Sequence, residues 1–173
     1  MTRSERTAVC LLVILLFVGF VSGCSETDCT CADATGPTGQ LVRSTGCKTG
    51  GTDADTSGVS SNQDCIEWEY DGSEHLVFTH VNAGLNCCPD FNAIIHVKGN
   101  TIRVVEDDEG LCDCYCLFDL EYEIHGLDPG VYELTVTEEC LSEDDEPLQF
   151  TMDLLTSASG RHCVERTHYP WGH

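Results

Sequence analysis

From Ile66 onward the chain alternates apolar and polar residues with a period of two, the spacing of a strand with one wet face and one dry face. Ile66, Trp68 and Tyr70 alternate with Glu67 and Glu69, and Leu76, Phe78 and His80 alternate with Val77, Thr79 and Val81. Ala93 to Lys98 and Thr101 to Glu106 are β-branched runs joined by Gly99-Asn100, a two-residue hairpin signal. Cys112 to Ile124 is a long alternating stretch with Cys112, Cys114, Cys116, Phe118, Leu120, Tyr122 and Ile124 on one side. A turn at Asp128-Pro129-Gly130 leads into Val131 to Glu138, and Leu148, Phe150, Met152 and Leu154 alternate in a last strand.

This makes about seven strands with no helical period among them. Strands with a single apolar face need a second sheet to close a core, so the pattern predicts an all-β chain, an antiparallel β-sandwich over 65–156. Before it, residues 24–64 are rich in Thr, Ser, Gly and Asp with no sustained apolar period, and read as a tether. Residues 157–173 read as a C-terminal tail. The segment Leu127-Asp128-Pro129-Gly130-Val131-Tyr132 resembles the corner of immunoglobulin-like and fibronectin-like domains, where the tyrosine hydroxyl pins the loop.

Residues 1–23 have the form of an export signal. Arg3 and Arg6 precede the apolar run Ala8 to Val21, which as a helix would rise about 21 Å, short of the roughly 30 Å hydrocarbon layer. Val21-Ser22-Gly23-Cys24 resembles a bacterial lipobox, which implies that Cys24 is acylated, becomes the new N-terminus and anchors the chain to a membrane. Ser25, Glu26 and Asp28 then point, by analogy, to an outer-membrane or surface address rather than inner-membrane retention.

Composition agrees with export. The 173 residues include 30 Asp and Glu against 8 Lys and Arg, a formal charge of -22 that excludes a nucleic-acid partner and would attract cations. A dense carboxylate coat is equally what a saline habitat selects. Of thirteen cysteines, setting aside Cys10 and Cys24 leaves an odd eleven, and in an oxidising compartment disulfides are the default. No C-x-x-C occurs, which removes the spacing of thioredoxin-like enzymes and zinc ribbons. Alternate residues on a strand lie about 6.8 Å apart, at the limit for a bridge, so Cys112, Cys114 and Cys116 should each reach another segment. Cys87, Cys88, Cys65 and Cys140 are the nearest candidates in chain order, with Cys29, Cys31, Cys47 and Cys163 also available and no connectivity assigned. The rival reading makes Cys87, Cys88, Cys112, Cys114 and Cys116, with His80 or His96, a soft thiolate site for Cu or Zn.

Asn86-Cys87-Cys88-Pro89 followed by Cys112-x-Cys-x-Cys-Leu-Phe-Asp-Leu resembles a group of secreted bacterial lipoproteins over roughly Cys65 to Glu139. The resemblance implies location and fold and brings no activity.

Three further signals bear on ligands. Asp53 to Gly58, with Ser61 and Asp64, matches several positions of an EF-hand loop, but the flanks are not helical and linker is the better reading. The acidic runs Glu106 to Gly110 and Glu143 to Glu146 read as loops that could hold Ca²⁺ if they share one end of the sandwich. His80 and His96 lie on strands, and His162, His168 and His173 lie in the tail. With no nucleophile elbow, helical His pair or phosphate loop, the sequence predicts a non-catalytic binding, adhesion or structural module, anchored by its lipid, with a protein or glycan as ligand.

Overall fold

A computed structural model describes residues 36–48, 58–88, 90–108, 112–138, 141, 144–167 and 170. The signal sequence, Cys24, Cys29, Cys31, Asp53, Cys140, Glu143, His168 and His173 lie outside the described residues. Among the described residues the fold is all-β, with nine strands: β1 Thr38–Ser44, β2 Gln63–Tyr70, β3 His75–Asn86, β4 Phe91–Lys98, β5 Thr101–Asp108, β6 Tyr115–His125, β7 Val131–Thr137, β8 Gln149–Asp153 and β9 Ser159–Glu165. They form a five-stranded sheet in the order β1-β6-β3-β2-β9 and a four-stranded sheet in the order β4-β5-β7-β8. Every pairing is antiparallel except β5 with β7, which is parallel.

The alternation read from the sequence sets which face is dry. Ile66, Leu76, Phe78, Phe118, Leu120, Tyr122 and Ile124 from the larger sheet meet Ile102, Val104, Leu134, Val136 and Met152 from the smaller one in a continuous core. Aromatic contacts cross the gap: Trp68 stacks on Phe150 with centroids 5.1 Å apart, and Phe91 meets Phe118 edge-on at 4.9 Å. The hairpin at Gly99-Asn100 forms as expected, with Gly99 at φ +57°. Tyr132 donates its hydroxyl to the Asp128 carbonyl at 2.7 Å, so the corner is pinned as the motif implied.

Two segments fold where none was expected. Thr38–Ser44, within the stretch read as tether, pairs with β6 along the sheet edge. Only Gly39 and Leu41 turn inward there, too few for a period to show, and a Cβ on Gly39 would sit 2.7 Å from Ile95. Residues 59–64 also belong to the domain, since Val59 is buried and Asp64 lies in β2. Ser159–Glu165, within the expected tail, pairs with β2, and its inward positions are Gly160, His162 and Val164. His162 stacks on Phe150 with centroids 4.6 Å apart. In addition, β6 begins at Tyr115 rather than Cys112; before it, the Cys87 N–H donates to the Cys114 carbonyl at 3.0 Å. Asn86 Nδ2 donates to the Cys112 carbonyl at 2.7 Å, and Cys112 and Cys114 are both cross-linked.

Candidate functional site

Six polar side chains meet inside the sandwich. On each contributing strand the inward phase ends in a group that ionises or hydrogen-bonds: Asp64 before Ile66, His80 after Phe78, Glu106 after Val104, Glu138 after Val136 and Arg166 after Val164, with Tyr122 beside them. Both His80 ring nitrogens face carboxylate oxygens, Nε2 at 2.6 Å from Asp64 Oδ1 and Nδ1 at 2.8 Å from Glu106 Oε1, which requires a proton on each nitrogen. Tyr122 donates to Glu106 at 2.6 Å, and Arg166 donates to Asp64 Oδ2 at 2.5 Å and to the Glu146 carbonyl. All five charged-type residues are buried.

Electrostatics arranges the protons. Burial alone would discharge His80, but the Glu106 and Asp64 carboxylates outweigh it and hold its pKa well above the ordinary histidine range. Burial would likewise raise Asp64, and the His80 and Arg166 cations reverse this and keep it below the usual carboxylate value. Glu138 differs: Arg166 Nη2 lies 3.6 Å from its Oε1, yet burial, then the neighbouring Asp64 charge, push its pKa well above the ordinary value and favour the protonated form. Burial and the Glu106 charge push the Tyr122 hydroxyl up too, so it stays a neutral donor. His and carboxylates in contact are the parts of an acid–base device, but these side chains are closed off from solvent, and their partners link the two sheets. The geometry makes them a polar core.

Among the described residues four bridges join Cys47–Cys116, Cys65–Cys163, Cys87–Cys114 and Cys88–Cys112, with Cys65 and Cys116 buried. The three cysteines of the alternating cluster each reach another segment, as their spacing required, and the adjacent pair Cys87 and Cys88 takes two of them. Cys47, from the expected tether, takes the third, and Cys65 joins Cys163 rather than any cysteine of the cluster. Cys65 and Cys163 face outward and pack with Val59 and Val81. Of the histidines once set beside the sulfurs, His80 belongs to the polar core, and His96 is exposed on β4.

The outer face of the five-stranded sheet carries the exposed chemistry. One register row crosses all five strands as Arg161, Glu67, Thr79, Glu121 and Arg43, with ion pairs Arg161–Glu67 and Arg43–Glu121 at its two ends. Glu67, Glu69, Val77, Thr79, Glu121 and Arg161 line an open depression of about 550 Å³ there. At one end of this face His75 and His125 are direct cross-strand neighbours, their rings stacked with centroids 4.4 Å apart, and Glu123 Oε2 lies 3.4 Å from His125 Nε2. At the other end a bulge places Asn82 at φ +68°, where its side chain donates to the Ser60 and Gln63 carbonyls and accepts from Lys48.

Among the described residues, three groups of side chains bring potential metal ligands within 4.8 Å of one another: Cys87, Cys88 and Cys112; Asp64, His80 and Glu138; and His75, Glu123 and His125. The first is bridged, and the second already satisfies its charges with Arg166. The EF-hand reading fails at Asp64, which faces the core. Of the acidic runs, Glu106 is inside the sandwich and β5 continues to Asp108, so that run is strand before it is loop. Because β5 and β7 run parallel, the segments that follow them leave at the same end. Comparison with known proteins returned no match: no family model, no curated protein and no solved structure is similar to this chain.

Proposed function

We propose that the chain is a lipid-anchored extracytoplasmic module of a bacterial lipoprotein, in which the sandwich binds a ligand, adheres or has a structural role without catalysing a reaction. The four disulfides carry this reading, because bridges of this number are stable only where thiols are oxidised, and the leader and lipobox-like Cys24 supply the route there. The open depression on the outer sheet face offers charged and hydroxyl groups to a protein or glycan. The absence of catalysis is supported by the enclosure of the His80 cluster, where no substrate atom could reach the imidazole.

The test is fractionation of cells producing the wild type and Cys24→Ala, with intact mass measured before and after reduction. Membrane association lost in the variant, with a lipid-sized mass on the wild type and two hydrogens gained per bridge, is the expected result. A wild-type chain found in the cytosol with its leader uncut and thiols reduced overturns it.

The rival, a thiolate metal or redox role, draws on the gathering of Cys87, Cys88 and Cys112 sulfurs at one place. It requires those thiols reduced in the native protein, and the same mass measurement decides between them.

A further inference from the structure

We propose that His75, Glu123 and His125 form a surface site for a divalent transition-metal ion of the Zn²⁺ class. The proposal is independent of lipid anchoring, since it rests on the geometry of the sheet and of the side chains it carries. His75 and His125 are Cα partners across β3 and β6, and Glu123 lies two residues along the same outer face, beside Val77. One ligand atom from each falls within 4.8 Å of the others, and Glu123 Oε2 and His125 Nε2 are already 3.4 Å apart. Ligand atoms about 2.0–2.2 Å from a tetrahedral ion stand roughly 3.4 Å from each other, so rotation of half-exposed side chains completes the set.

Two observations point to a ligand. His75 Nε2 is covered from solvent and has no hydrogen-bond partner, a state buried polar atoms rarely occupy. The two imidazoles stack with centroids 4.4 Å apart, and one nitrogen of each lies within 4.8 Å of the other and of a Glu123 oxygen, within reach of a shared ion after side-chain rotation. The strand ends that carry them are built to hold position. Asp71 Oδ1 accepts from the backbone N–H of Ser73 at 2.7 Å and of His75 at 3.1 Å. Glu74 at φ +73° and Gly126 at φ +75° complete the turns, and the Leu127 N–H donates to the Glu74 carbonyl at 3.0 Å.

The donor set selects the ion. Two imidazoles and one carboxylate suit Zn²⁺, Cu²⁺ or Ni²⁺, whereas Ca²⁺ requires a cage of oxygens. Three protein ligands leave a coordination position open to solvent, for water or for a donor atom from another molecule. The surrounding carboxylates raise the local cation concentration.

The experiment is calorimetric titration of the metal-stripped, disulfide-intact mature chain with Zn²⁺ in a large excess of Ca²⁺, which occupies carboxylate-only sites. The variants are His125→Ala, Glu123→Gln and, as control, His96→Ala. One equivalent should bind the wild type and His96→Ala alike. Affinity should fall about a hundredfold in His125→Ala, whose unfolding temperature in chelator should match the wild type. Zinc should also shift the ring-nitrogen resonances of His75 and His125 in the wild type. No saturable binding by the wild type, or undiminished binding by His125→Ala, overturns the site. Neither outcome touches the fractionation and bridge measurements, so the two proposals fail separately.

Discussion

Asp64 and Glu138 show how neighbouring carboxyl groups are driven in opposite directions by their surroundings. Asp64 receives His80 and Arg166 and is held below its ordinary value, whereas burial and the Asp64 charge push Glu138 well above its own and favour the protonated form. Replacing Glu138 by Gln preserves a neutral donor of nearly the same shape, and its effect on unfolding free energy should stay within about 1 kcal/mol. Asp64→Asn instead leaves two buried cations short of a counter-charge and should cost about 3–5 kcal/mol in urea unfolding. Equal losses would sink the assignment of protons. The pH dependence follows from the same shifts. His80 and Glu138 have folded pKa values above their unfolded ones, so their stabilisation is complete below the unfolded values and is lost as pH rises through the folded ones. Asp64 is shifted down, so its contribution is present above the unfolded value and lost as pH falls through the folded one. The urea midpoint should therefore decline as pH rises above 6.5, the ordinary histidine value. His80→Gln, which removes the imidazolium, should flatten that decline. This core was partly legible: His80, Glu106 and Glu138 each continue the apolar phase of their strands, two residues past its last hydrophobic member. The alternation places His80 with Leu76 and Phe78, but Glu106 reads as the start of an acidic loop and Glu138 as a strand end, and only the register shows that the three meet.

Among the elements, the strands that the pattern revealed are those with at least two large apolar side chains on one face. β1 and β9 escaped because their inward positions are held by Gly39 and Leu41 or by Gly160, His162 and Val164. Neither set forms an apolar row, and both sit in polar composition. Their glycines are required by close packing. Gly160 lies against the Trp68 ring and Gly39 against Ile95, where a Cβ has no room. Gly39→Ala should lower stability by about 1–3 kcal/mol through displacement of Ile95, measured by thermal unfolding, while Gly36→Ala, with open space around it, should change little. The parallel pairing of β5 and β7 was equally hidden, since side-chain phase says which way a face turns and nothing of strand direction.

At the scale of the whole molecule, the sheets are held by a shared core and the margin by four covalent links. Cys65–Cys163 joins β2 to the edge strand β9 across a separation of 98 residues. Removing this bridge with paired serines should cost about 2–5 kcal/mol and expose β9 amides to hydrogen exchange before those of β3 and β6. Protection lost evenly across the larger sheet would show that the edge is not an independent unit. The bridge pattern itself was beyond sequence reasoning. Geometry excluded pairings within Cys112, Cys114 and Cys116, yet Cys47 and Cys163 lay in segments with no recognisable strand.

The spans of the four links have a consequence for biogenesis. A chain delivered through a membrane pore amino end first has presented both halves of three cross-links by the time residue 116 emerges, whereas Cys65 must wait for Cys163. Until then its thiol stays open to mispairing with any earlier sulfur. Fidelity of oxidation therefore depends on residues 117–163 arriving promptly, and a catalyst of thiol reshuffling would be needed most by chains that stall just short of Cys163.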